Sequence, residues 1–416
     1  MPAAAQAGPE RVVNNPRFPL FDSLRGIAAG SVLLFHIAFV LGGFTKDGYG
    51  KYLIQLNIGV PIFFLISGFL LYRPFVAARF RGDGPPAARP YAIRRFFRIV
   101  PGYWVALPLV AAWTGLSAVG HNPLPYFGFA QVYQRSTLIN GYGIAWTLCV
   151  EVSFYVLLPL WALAMRRLRG GSRRRLVVTE ALPLVAIFLV AVLWNATQTE
   201  ASHGFIVFTP AIATIPAFLD HFALGMALAV ASVALADRER RPALVALVER
   251  RPWVPWLAAL ALFVTLCNIQ RHLGAIPSEV LRHHLRGLVA FGVLLPAVFG
   301  DDRGGVVRRF LADRRMQWIG LVSYSLYLWH PAITQKMGLW NWDDSLGWLG
   351  YSLAAIAICV AVAAISFYAV ERPGLRIGRA LAGRFGYQEP DRPPGGSVDR
   401  PGAPSVELAG KSGDKV

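Results

Sequence analysis

Apolar stretches of about twenty residues recur along this chain, and that recurrence constrains the fold more than any motif does. A run of roughly 18 or more residues with few charges can cross the hydrocarbon core of a bilayer. Ten such runs are found, at roughly 20–42, 52–75, 101–119, 144–165, 176–194, 216–236, 253–270, 284–300, 318–338 and 347–370. The expected fold is all-α, a polytopic membrane helix bundle of about ten transmembrane helices. Only 15% of the 416 residues are charged, against about 25% in soluble proteins, so a soluble multidomain chain is not expected. The sixth run is the least regular. "FIVFTPAIATIPAFLDHFALGMALAVASVALA" is too long for one crossing and contains Pro210 and Pro216, which leaves a re-entrant segment or a surface helix open for part of 204–236.

Loop charge orients the bundle. With a cytoplasmic N-terminus, the inner segments and tails hold 33 of the 41 Lys and Arg, the outer loops hold 7, and Arg25 lies within a span. Cytoplasmic loops carry such an excess. The expected location is the inner (plasma) membrane, multi-pass, with both termini cytoplasmic. The net charge of +18 follows from the same bias, and no nucleic-acid partner is expected. Residues 1–17 form a cytoplasmic tail without the apolar core of a signal peptide. A membrane domain follows over 18–375. The tail 376–416 is Pro/Gly-rich and polar toward its end, and disorder is expected from about 388. Cys149, Cys267 and Cys359 show no ligand or disulfide spacing. No metal, no permanently bound cofactor and no repeat of 20–50 residues is expected, and the oligomeric state is not legible.

Ionisable residues inside a span are costly and point to function. "FDSLRGIAAGSVLLFHI" carries Asp22, Arg25 and His36. Eleven residues separate Arg25 from His36, about 16 Å of rise and within about 20° of a whole number of turns. The three residues therefore share one stripe, with Asp22 and Arg25 near the cytoplasmic end. In the fourth span, "AWTLCVEVSFYVLLP" sets Glu151 about 10 Å below the outer start, at a depth similar to His36. A carboxylate and an imidazole at one level suit a base and its orienter. Pairing of Glu151 with another buried cation is the alternative. Tyr155, four residues on, shares the face of Glu151.

"SYSLYLWHP" adds Ser323, Tyr324, Tyr327 and His330, the tyrosines fitting an aromatic belt equally well. Ser67–Gly68 in "FFLISGFLLY" reads as a site of close helix packing. Glu371 closes the last span. In "RRFFRIVP", Arg94 and Arg98 share a helix face beside Arg95. The cluster suits phosphates through bidentate bonds, or is cytoplasmic charge alone.

Six segments in order resemble the acyltransferase-3 family of integral membrane acyltransferases, a group that includes O-antigen, nodulation-factor and macrolide acylases. They are "FDSLRGIAAGSVLLFHI", "GVPIFFLISGFLLYRPF", "RRFFRIVPGYW", "AWTLCVEVSFYVLLP", "SYSLYLWHP" and "FYAVERP". The resemblance covers roughly 18–375 and includes Trp146. It implies acyl transfer from cytoplasmic acyl-CoA, acetyl by default, to a hydroxyl of a sugar, glycolipid or other cell-envelope acceptor. It implies His36 as the catalytic residue, Arg25 as its motif partner, and Arg94, Arg95 and Arg98 as the holders of the CoA phosphates. General-base catalysis and an acyl-histidine relay both remain open. The rival class is a transporter or exporter of a small polar or acylated molecule, although no inverted repeats are seen.

Overall fold

The computed structural model describes residues 18–45, 48–168, 171–202, 205–236, 241–269, 274–300 and 304–385. The tail expected to be disordered from about 388 lies outside the described residues, as does the whole of the 1–17 tail. Ten long helices occupy the ten expected runs. They are α1 (Leu20–Val40), α2 (Gly59–Arg81), α3 (Ala88–Thr114), α4 (Ala145–Arg167), α5 (Arg173–Gln198), α6 (Leu219–Ala234), α7 (Trp253–Asn268), α8 (Ala275–Val298), α9 (Arg314–Leu339) and α10 (Trp342–Ser366). Among the described residues, seven segments are long and apolar enough to cross a membrane by length and composition. Of the other three, α7 has 16 residues, while α8 and α9 carry the Arg, His, Ser and Tyr residues that lower their hydropathy.

The irregular sixth run resolves into separate pieces. Strands β1 (Glu200–Ser202) and β2 (Phe205–Val207) pair antiparallel. Two short turns begin at Pro210 and just before Pro216, and α6 then descends alone. Proline is well suited to a first helical turn and poorly suited to a helix interior, so each one starts a new piece. The last span breaks at Gly347 and ends in a π-helical turn, Phe367–Glu371. It continues into the amphipathic α11 (Arg372–Gly383), which packs on α3. The C-terminal tail expected from 376 is therefore helical over its first residues.

Several helices bury few of their side chains in the protein. Leu182 and Leu193 of α5 are 65% and 66% exposed. Such a row of large apolar side chains is stable only against lipid. In contrast, α1 packs along α9 more extensively than any other pair. The two run parallel, since Asp22 meets Gly320, His36 meets His330 and Val40 meets Gly338. A Cβ on Gly320 would lie 1.7 Å from the Asp22 carbonyl oxygen, whereas one on Gly30 would meet nothing within 4 Å. Gly320→Ala is expected to cost about 1–3 kcal/mol by forcing the helices apart. It should lower the thermal midpoint in detergent, with Gly30→Ala unchanged. Equal midpoints would refute this account of the crossing.

Away from this crossing, Arg308 is buried with its guanidinium among backbone carbonyls. It donates to Pro296 (3.0 Å), Val248 (3.0 Å) and Glu249 (3.1 Å), and to Phe299. The carbonyls left unpaired at the ends of α8 and of the short helix Ala243–Arg250 are thereby satisfied.

Candidate functional site

The long helices enclose two cavities that meet at Val60 and Tyr327. The first, about 190 Å³, is lined by Arg25, Arg95, Arg98, Ser67, Glu151, Tyr155 and Tyr324 among others. The second, about 520 Å³, is lined by His36, Asn57, Tyr142, Trp146, Tyr327 and Gln335 among others. The stripe on α1 thus opens into both, Arg25 into one and His36 into the other.

In the arginine cavity, Oε1 of Glu151 accepts from Ser67 Oγ and from the Tyr155 hydroxyl, each at 2.6 Å. Arg95 lies over the Tyr155 ring at 5.7 Å. Its Nε is buried with no hydrogen-bond partner among the described residues. Arg98 forms no hydrogen bond or ion pair with a described residue, while Arg25 holds Asp22 at 2.8 Å. Unfilled guanidinium donors around a partly apolar cavity suit an anionic ligand. The face shared by Arg94 and Arg98 is not the one that lines the cavity. Arg95 and Arg98 line it instead, because residues three apart on a helix are neighbours as surely as residues four apart.

In the histidine cavity, Nδ1 of His36 lies 2.9 Å from the Val32 carbonyl and 3.1 Å from Nε2 of His330. Nδ1 of His330 lies 3.0 Å from the Leu326 carbonyl. A carbonyl only accepts, so His330 carries its proton on Nδ1 and presents an Nε2 lone pair. That lone pair needs a donor, which is Nδ1–H of His36. The pairing leaves Nε2 of His36 unprotonated. His330 is fully buried and stands behind His36.

Glu151 is not brought to His36. Similar depth did not make them partners, because Ser67 and Tyr155 claim the carboxylate on the far side of Tyr327. Ser67 and Gly68 separate in role. A Cβ on Gly68 would lie 2.6 Å from the Phe222 carbonyl oxygen, so Gly68 permits close packing while Ser67 bonds Glu151. Trp146 lines the histidine cavity and Tyr324 the arginine cavity, its hydroxyl donating to the Ile99 carbonyl at 2.7 Å. Glu371 accepts from Ser325 beside the cavity rather than in its wall. Sequence reasoning missed the position of Tyr327. Its hydroxyl lies 2.8 Å from Thr147 Oγ1 and 3.3 Å from the Ile144 carbonyl. The available signal was its place three residues after Tyr324 and three before His330, on one face of α9.

A family model described as an acyltransferase domain, Acyl_transf_3, matches residues 19–370. The chain belongs to the acyltransferase-3 family. This acyltransferase is 26% identical to BcsY of Komagataeibacter xylinus, named as a membrane-bound transacylase, over 88% of this chain and 86% of that one. It is 22% identical to the peptidoglycan O-acetyltransferase OatA of Listeria monocytogenes over 85% of this chain, and spans 55% of OatA's length. It is 24% identical to nodulation protein 10 of Rhizobium leguminosarum bv. viciae over 88% of this chain and 95% of that one. No solved structure matches it. The protein is a multi-pass membrane enzyme that transfers acyl groups other than aminoacyl groups, which decides against the transporter reading.

Proposed function

We propose that this acyltransferase takes an acyl group, acetyl by default, from acyl-CoA held in the arginine cavity and passes it to a hydroxyl in the histidine cavity. The observation that carries the reading is the division of labour across Tyr327. Guanidinium groups line one side and an imidazole with a free Nε2 lines the other. Arg95, Arg98 and Arg25 bind the CoA phosphates. The pantetheine arm, on the order of 15–20 Å when extended, then reaches past Val60 and Tyr327 toward His36. Loop charge supports a plasma-membrane location with both termini and the arginine cavity on the cytoplasmic side.

His36 acts as general base in this scheme. Nε2 takes the acceptor's hydroxyl proton as the oxygen attacks the thioester carbonyl. The tetrahedral intermediate collapses, the C–S bond breaks, and the CoA thiolate leaves with the proton from His36. The Val32 carbonyl and His330 together hold the imidazole in the required tautomer and orientation. The Tyr327 hydroxyl, on the wall common to both cavities, would donate to the developing oxyanion by exchanging its bond to Thr147 and the Ile144 carbonyl, while the Tyr155 hydroxyl is held by the Glu151 carboxylate. Glu151 orients Ser67 and Tyr155 and balances the cavity's positive charge. The acceptor class is a cell-envelope carbohydrate, supported by OatA, whose name specifies peptidoglycan O-acetylation.

The test is incubation of purified protein with labelled acetyl-CoA and with glycan acceptors. CoA release that depends on the acceptor, with label recovered in base-labile ester, is expected. Absence of label transfer from acyl-CoA to any hydroxyl acceptor would overturn the proposal.

A further inference from the structure

A second cluster of ionisable groups lies apart from both cavities. Asp220 and His221 open α6, and His283 and His284 lie within the first half of α8. Asp220 and His221 are fully buried, while the side chains of His283 and His284 are 14% and 15% exposed. Oδ2 of Asp220 lies 2.8 Å from Nδ1 of His284, and Oδ1 lies 3.3 Å from Nε2 of His283. One ligand atom each from Asp220, His221 and His283 fall within 4.8 Å of one another.

Proton accounting leaves this cluster incomplete. Nε2 of His221 lies 3.2 Å from the His283 carbonyl, which only accepts, so Nε2 carries the proton and Nδ1 the lone pair. Likewise His284 donates from Nδ1 to the carboxylate, and its Nε2 carries the lone pair. Both atoms, His221 Nδ1 and His284 Nε2, are buried with no hydrogen-bond partner among the described residues. Of these two lone pairs, that of His221 belongs to the Asp220–His221–His283 group and is buried without a protein donor, while His284 contacts the carboxylate through its Nδ1 edge. A ligating histidine characteristically donates its other ring N–H to a carbonyl or carboxylate, as His221 does here.

We infer that Asp220, His221 and His283 form a binding site for a divalent transition metal of the zinc class. Imidazole and carboxylate donors suit that class. Zinc bonds of about 2.0–2.1 Å set ligand atoms about 3.3–3.4 Å apart in a tetrahedron. Oδ1 of Asp220 and Nε2 of His283 already stand at that spacing. The His221 ring stacks on His283 at 4.4 Å and presents Nε2 to Asp220 at 3.6 Å, so ligation requires that ring to turn its lone pair toward the carboxylate. Three protein donors leave a fourth position for water. The N–H of His284 holds the other carboxylate oxygen from outside the ligand set, and the partial exposure of His283 and His284 supplies an entry path. Linear spacing conceals the site, since its ligands sit on two helices some sixty residues apart.

The ion would tie α6 to α8 directly behind an acceptor wall. The Phe218 ring packs on His283 at 5.4 Å and stacks on Trp146 at 5.1 Å, and Trp146 lines the histidine cavity. Metal binding should therefore read out as stability.

The experiment uses the full chain in detergent, free of any histidine tag, stripped with chelator and then titrated with Co²⁺ or Zn²⁺. About one equivalent of metal should bind, Co²⁺ should give visible d–d absorption bands, and Zn²⁺ should raise the thermal midpoint. His283→Gln and Asp220→Asn should lose the bands and the shift, whereas His121→Gln, at an exposed histidine remote in sequence, should keep both. His284→Gln should weaken binding by roughly 10–100-fold. Should His283→Gln fail to fold, the wild-type titration and His284→Gln decide alone. Folded wild-type protein that binds no Co²⁺ or Zn²⁺, or variants that bind as the wild type does, would overturn the inference and leave a proton-shared Asp–His network.

Discussion

His36→Ala should abolish acyl transfer, lowering kcat by about 10²–10⁴-fold, the range in which a positioned general base contributes. The KM for acyl-CoA should barely move, because the arginine groups proposed to bind the donor line the other cavity. His330→Ala should show the same pattern at smaller amplitude. It leaves Nε2 of His36 in place and the Val32 carbonyl still facing Nδ1–H, but removes the second partner, at 3.1 Å, that orients the ring. Steady-state kinetics with labelled acetyl-CoA check both. Normal turnover in well-folded His36→Ala protein would end the general-base and the acyl-relay readings together.

Arg95→Gln combined with Arg98→Gln should act on the opposite parameter. Each charge-assisted hydrogen bond to a phosphate is worth about 1.5–3 kcal/mol, so losing both should raise the KM for acyl-CoA by about 100-fold or more. With saturating donor, kcat should stay near the wild-type value. Arg94→Gln supplies the contrast, since Arg94 does not line the cavity. Donor titrations of the two variants side by side measure this. An Arg94→Gln effect equal to that of the double variant would show that general cytoplasmic charge, not the cavity wall, attracts the donor.

Much of this architecture is legible in the chain because a bilayer imposes a simple rule. Backbone groups in hydrocarbon must be paired within the segment, so an apolar run of sufficient length becomes a helix. The ten runs and the breaks at Pro210 and Pro216 follow from that rule. The stripe of Asp22, Arg25 and His36 is equally legible, since helical rotation is fixed once α1 forms. The pairing of His36 is different. Depth alone favoured Glu151, and depth carries no information about azimuth. The rotation of α4 turns Glu151 toward Ser67, and the parallel run of α1 beside α9 delivers His330 to His36 instead.

The sequence by itself determined the helices, the acyl-transfer family and the identity of the residues along α1, because helical periodicity and charge asymmetry are local properties. Only the tertiary structure decided which residues meet. It set Tyr327 between two cavities, chose Arg95 rather than Arg94 for the cavity wall, and gathered Asp220, His221 and His283 from two helices. The physical reason is that helix rotation and neighbour choice are set by packing between segments. A carbonyl that tolerates no Cβ on Gly320 fixes how α1 and α9 face each other, and no periodicity within either helix encodes that contact.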